Sequence, residues 1–81
     1  MLVTIRLFAR LREIAGASEL ERTLPDDATA HTAWDGLVSE FPAMAGYAAA
    51  VSCAVNQEYT KLTATLTDGD EVAFLPPVSG G

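Results

Sequence analysis

The 81-residue sequence has one cysteine, one histidine and one lysine, and each shortage excludes a class of protein. The single Cys53 cannot form an internal disulfide, so folding does not depend on an oxidising compartment. With His31 as the only imidazole, the chain has too few ligands for a zinc site of the usual kind. Lys61 is the single lysine, and the net charge of the chain is −6. We therefore expect no nucleic-acid partner, because phosphate contacts need clustered basic residues.

Catalytic motifs are also lacking. The glycines at 16, 36, 46 and 69 are isolated, so there is no glycine-rich phosphate loop, and no serine occupies a nucleophile elbow. His31 lies off the apolar stripe of its predicted helix and is expected at the surface. Cys53 shares a strand face with Val51 and Val55, which favours a buried, inert thiol. We therefore predict that the chain is not an enzyme by itself.

No long apolar run is present. The N-terminal stretch MLVTIRLFAR is interrupted by Arg6 and Arg10 and is followed by no small-residue cleavage site. This pattern is typical neither of a membrane span nor of a signal peptide, so we expect a cytoplasmic protein with no membrane partner.

The charge is unevenly distributed. Residues 1–22 carry four arginines and three glutamates, whereas residues 23–81 carry one lysine and eight acidic residues. Such acidity favours attraction to a basic partner surface, or simply keeps a small protein soluble.

Hydrophobic periodicity predicts an α+β fold in the order β-β-α-β-β. Strands are expected at residues 2–9, 18–24, 51–55 and 71–75, with a short helix after the first and an edge strand beginning at Tyr59. The period changes to that of a helix between Thr29, a predicted N-cap, and Pro42. The apolar stripe of this helix consists of Ala30, Ala33, Trp34, Leu37, Val38 and Phe41. The small-residue stretch that follows is predicted to be a loop or a short helical turn, and Asp68-Gly69 a turn.

The last eight residues, FLPPVSGG, form the most informative motif. Pro76 and Pro77 lack N–H groups and have a fixed φ, so they end the last strand and predict a stiff, extended stalk. We therefore expect a domain over residues 1–77 and a flexible tail over residues 78–81. After Val78 and Ser79, Gly80 and Gly81 have no β-carbon, so the tail fits a narrow slot.

The terminal carboxylate at Gly81 is the group that such a tail delivers. A carboxylate with a pKa near 3.5 is ionised at neutral pH and is a poor electrophile. It reacts only after activation, for example as an anhydride formed with ATP. The sequence therefore predicts a tail that serves as a substrate in the active sites of other proteins.

The segments LFARLREIAG, AVNQ and LTDGDEVAFLPPVSGG make the sequence similar to the ubiquitin-like sulfur carriers, most closely the family of molybdopterin synthase small subunits. The resemblance implies a β-grasp fold in which the first and last strands run parallel at the centre of a mixed sheet. It also implies that an E1-like adenylyltransferase uses ATP to adenylate Gly81, next to Gly80. A persulfide donor then supplies sulfur, which leaves a thiocarboxylate at the terminus.

Partners and assembly follow from the same resemblance. The large synthase subunit takes the tail into its active site, where sulfur is added to cyclic pyranopterin monophosphate. The typical assembly is a heterotetramer with two carriers at the ends of a large-subunit dimer. The carrier itself is expected to bind no cofactor, since ATP is used by the activating partner.

A docking surface is predicted at the base of the tail. If the first and last strands are parallel neighbours, Phe8 and Leu75 meet at one sheet end beside Pro76. An exposed apolar group at this point would anchor a partner, with Pro77, Val78 and Ser79 continuing the contact along the tail. The alternative is that one of these residues only fills the end of the core.

Other functions remain open at this point. A protein modifier that joins Gly81 to lysines needs the same adenylation. A sulfur carrier for tRNA thiolation, cysteine synthesis or thiamin synthesis is a close variant, and a plain interaction module would leave the glycines idle.

Overall fold

The fold consists of a five-stranded sheet with one long helix packed on one face, in a computed structural model that describes residues 1–77. The strands are β1 (Leu2–Leu7), β2 (Glu19–Thr23), β3 (Ser52–Val55), β4 (Glu58–Thr60) and β5 (Glu71–Leu75). The helices are α1 (Ala9–Ala15) and α2 (Ala30–Glu40), and a short 3₁₀ helix covers Pro42–Tyr47.

The sheet order is β2-β1-β5-β3-β4. The central strands β1 and β5 are parallel, and the other neighbours are antiparallel. This confirms the predicted element order, with β4 as the expected edge strand, and the parallel central pair that the resemblance implied. The small-residue stretch after α2 is a 3₁₀ helix, one of the two forms expected for it.

Helix α2 supplies its predicted apolar stripe to the core. Ala30, Ala33, Trp34 and Leu37 are buried, and Val38 and Phe41 are partly buried against them. The rings of Trp34 and Phe74 lie 5.3 Å apart at an angle of 53°, which joins the helix to β5. The predicted N-cap is confirmed, because the Thr29 hydroxyl accepts the Thr32 N–H and the Thr32 hydroxyl accepts the Thr29 N–H.

Polar side chains fix the end of the sheet at which β5 begins. The Asn56 side chain donates to Asp70 over 3.0 Å and accepts the Glu71 N–H, also over 3.0 Å. The Asp68 carboxylate accepts the Leu2 N–H over 2.7 Å. The hydrogen bond from Asn56, followed by those from Thr67, lowers the pKa of the Asp70 carboxyl. The acids around this turn therefore support the backbone of the turn that the sequence predicted at Asp68-Gly69.

Gly36 provides a test of the α2 assignment. It lies inside the helix, at a site where a β-carbon would meet no atom within 4 Å. Glycine weakens a helix interior by about 0.5–1 kcal/mol relative to alanine, because it loses more backbone freedom on folding. We therefore expect Gly36→Ala to raise the free energy of unfolding by about that amount in urea denaturation. A lower free energy of unfolding would contradict this account of α2.

Gly69 is the matched control for that substitution. Its surroundings also leave room for a β-carbon, but its φ of +87° lies in the left-handed region. Alanine is strained there, so Gly69→Ala should lower the free energy of unfolding while Gly36→Ala raises it.

Candidate functional site

The chain leaves the sheet from its central strand. Leu75, the last residue of β5, pairs with Ser52 on β3 and is half-buried. Pro76 and Pro77 lie beyond the strand, the first half-buried and the second exposed. Because neither proline carries an N–H, neither can extend the ladder. The segment that follows the prolines is therefore attached at the end of β5, the middle strand of the sheet.

The predicted reactive tail follows these prolines. Val78, Ser79, Gly80 and Gly81 lie outside the described residues, and their roles stay predictions from the sequence.

Beside the prolines the structure assembles the apolar group predicted from the sequence. The parallel register pairs Arg6 with Ala73 and Leu7 with Phe74, so the next step places Phe8 beside Leu75. Phe8 is extended, with a φ of −127° and a ψ of 154°, and its side chain is 36% exposed. We call Phe8, Leu75 and Pro76 the tail-base patch. That this patch binds a partner stays a prediction from the sequence.

One exposed aromatic residue on the same face of the sheet was missed by the sequence analysis. Tyr59 on β4 is 75% exposed and pairs with Ala54 on β3, which pairs with Ala73 on β5. These residues lie on the face of the sheet opposite α2, the outer face. Both alanines are buried, and the same row of register partners continues to Arg6 on β1, three strands away from Tyr59.

The hairpin turn was the signal that would have found Tyr59. Asn56 and Gln57 have φ values of +50° and +71°, as a two-residue turn with two positive φ angles requires. Such a turn fixes the register of the hairpin and therefore the face on which Tyr59 lies.

The other chemically active side chains lie where the sequence predicted. His31 is exposed on α2, with its Nδ1 3.0 Å from an Asp35 carboxylate oxygen. Cys53 is buried, and its Sγ lies 3.4 Å from the Thr60 carbonyl oxygen. Burial raises the pKa of the Cys53 thiol, which keeps it protonated and poorly nucleophilic at neutral pH. Both predictions, a surface histidine and a buried thiol, are confirmed.

Within residues 1–77, no group of three or more His, Cys, Asp or Glu side chains is placed to hold a metal ion. No helix in this range has the length and apolar character needed to cross a bilayer.

The sequence matches the model of the ThiS family over residues 5–81. It is 38% identical over 79 residues to the molybdopterin synthase sulfur carrier subunit of Arabidopsis thaliana, covering 98% of this chain and 82% of the relative. It is 34% identical over 84 residues to small archaeal modifier protein 1 of Haloferax volcanii, covering 94% of this chain and 97% of the relative.

Solved structures share the fold. The crystal structure of the Haloferax volcanii modifier superposes with a TM-score of 0.84 and 32% identity, covering 100% of both chains. A chain of the Amycolatopsis orientalis BexX/CysO complex superposes with a TM-score of 0.71 and 28% identity, covering 98% of this chain and 99% of that chain. The predicted β-grasp class is confirmed.

Proposed function

Because the chain belongs to the ThiS family, we propose that it is the sulfur-carrier subunit of a molybdopterin synthase and works in molybdenum cofactor biosynthesis. The observation that carries this proposal is the family match, which extends to Gly81. Relatives that bear this subunit name align with nearly the whole chain, at 98% in Arabidopsis thaliana and 98% in Homo sapiens.

The chemistry begins at the Gly81 carboxylate. Its oxygen attacks the α-phosphate of ATP in an E1-like adenylyltransferase, which releases pyrophosphate and leaves an acyl adenylate. A persulfide then attacks the acyl carbon and expels AMP, which gives an acyl disulfide. A second thiol then attacks the sulfur atom that belongs to the donor protein and forms a disulfide with it. The other sulfur stays on the acyl carbon, which leaves the thiocarboxylate on Gly81.

The large synthase subunit receives the charged tail. The thiocarboxylate sulfur bonds to a carbon of the pterin precursor and displaces an oxygen substituent from it. Water then attacks the acyl carbon and breaks its C–S bond, which leaves the sulfur on the pterin and restores the carboxylate. Two such cycles supply the two sulfurs of the dithiolene, in an assembly of two carriers and two large subunits in the cytoplasm. The likeness to a chain of the BexX/CysO complex supports a second protein as partner.

The structure supports this role through the residues that lead into the tail. Pro76 and Pro77 follow β5, the middle strand of the sheet, and the tail-base patch lies at this same end of β5. Docking of this patch would aim the tail at a fixed point on the partner while the sheet stays folded.

Intact mass spectrometry tests the proposed chemistry. The chain is incubated with the adenylyltransferase, ATP and a persulfide donor, and we expect one oxygen to be replaced by sulfur. Fragmentation should place the exchange at Gly81, and a reaction without ATP is the control. An unchanged mass, with an adenylyltransferase that is active on its own carrier, would overturn the proposal.

A protein modifier is the second candidate. It is favoured by the 34% identity to small archaeal modifier protein 1. Both functions need the adenylate, so the product distinguishes them: a modifier forms an amide between Gly81 and a lysine amine. Lysine conjugates without sulfur exchange would support it. Sulfur exchange followed by transfer to tRNA, to a cysteine precursor or to a thiamin precursor, and not to the pterin, would identify a carrier for another pathway.

A further inference from the structure

Arg6 places a positive charge inside the apolar surface at the base of the tail. It lies on the outer face of β1, where its register partners are Ala73 on β5 and Glu19 on β2. Its guanidinium carbon lies 5.6 Å from the centroid of the Phe8 ring, a cation–π contact. The side chain is 43% exposed, so its charge faces outward beside Phe8.

The guanidinium has little to bind within residues 1–77. It carries five N–H donors. Its ion pair there is with Glu71, at 3.9 Å between Nη1 and Oε1, which is too long for a hydrogen bond. Its Nε is buried and has no acceptor among the described residues. Packing against Phe8, more than polar contacts, therefore holds this charge in place.

A partner that covers the tail-base patch must also cover Arg6, because the guanidinium lies against the Phe8 ring. Removing a guanidinium from water is strongly unfavourable unless an acceptor replaces the lost hydration. A planar guanidinium is best matched by a carboxylate, which accepts two parallel N–H bonds.

We propose that the large subunit presents a carboxylate to Arg6, and that this pair sets the orientation in which the carrier docks. The inference rests on the proposed function, since it assumes that the large subunit binds the tail-base patch. The rest of the carrier is acidic, with eight acidic residues against one lysine over residues 23–81, and favours a basic surface. A carboxylate within that surface would be repelled by the acidic part of the carrier and attracted to Arg6, so the pair would favour one orientation of the carrier.

Binding of Arg6 variants to the large subunit tests this pair by titration calorimetry at low and high salt. Arg6→Met leaves the partner carboxylate buried and unpaired, so we expect affinity to fall by about 30-fold or more. Arg6→Glu adds repulsion and should weaken binding further. Arg22→Met is the matched control: it removes the same charge from the β2–α2 edge, where Arg22 pairs with Glu40, and should bind within about twofold of the unmodified chain.

A charge reversal on the large subunit completes the test. Each aspartate or glutamate around its tail-binding site is changed to arginine in turn, and one such variant should restore binding to Arg6→Glu. Arg6→Met that binds as tightly as the unmodified chain, with the same salt dependence, would overturn the inference. If Leu75→Glu still abolishes binding in that case, the carrier proposal survives. If the unmodified chain does not bind the large subunit, both fail.

Discussion

Deletion of Gly81 is expected to abolish sulfur transfer and to leave the fold unchanged. The truncated chain ends in a carboxylate on Gly80, retracted by about 3.5 Å, the span of one extended residue. Since a misplacement of about 1 Å already lowers a rate by about 100-fold, adenylation and transfer should fall by at least that factor. Formation of the acyl adenylate and of the dithiolene product measures the loss.

The fold of the truncated chain should be unaffected, because the core lies within residues 1–77 and the nearest core residue, Phe74, is seven positions away. Its unfolding midpoint in urea should therefore equal that of the unmodified chain. Gly36→Ala is the full-length control and should keep sulfur transfer, since it changes helix α2 and leaves the tail and its acyl carbon unaltered. Normal transfer by the truncated chain would show that Gly81 is not the reacting residue.

Local patterns predicted the elements of this fold because most core side chains come from regular segments. Val3, Ile5 and Leu7 alternate along β1, and Trp34 and Leu37 follow the helical period of α2, so each pattern identifies its own buried face. The parallel pairing of β1 with β5 came from the resemblance to a family. Periodicity describes one segment at a time and does not say which strands become neighbours.

Two core residues that escaped prediction lie in irregular segments. Met44 is buried in the 3₁₀ helix, and Leu66 in the long connection between β4 and β5. Leu66 is held by a hydrogen bond from its N–H to the Ala28 carbonyl, beside a bridge between Thr29 and Thr65. No period marks either residue, because the contacts that bury them join parts of the chain that are distant in sequence.

The candidate site also has a part that local sequence predicts and a part that depends on the fold. The tail was predictable because proline restricts the backbone and glycine frees it in any surroundings. Phe8 and Leu75 became neighbours only once the strands were paired. Arg6 and Tyr59 gain their place from the register of the whole outer face, which all five strands determine together.

Leu75→Glu should abolish binding of the large subunit while the domain remains folded. The substitution places a carboxylate at the centre of the tail-base patch, where docking would bury it. Docking would bury this carboxylate unpaired, or the carboxylate would pair with Arg6 in place of the partner's acid. Either outcome costs about 3–5 kcal/mol, so affinity should fall by at least about 100-fold. Because Leu75 is half-buried at the end of β5, the unfolding midpoint should change little. Titration calorimetry and urea denaturation measure the two effects separately.

Leu2→Glu is the control that isolates position from charge. Leu2 is 48% exposed and lies on the same outer face, but at the other end of β1, about 20 Å from Phe8 at about 3.3 Å per residue. The two variants therefore gain the same charge on the same face at different distances from the tail. If both lose binding, the whole acidic face repels the partner and the patch has no special role. If neither does, the tail alone holds the large subunit. Loss in Leu75→Glu alone would place the anchor beside the residues that lead into the tail, where binding energy can fix the direction in which the acyl group is delivered.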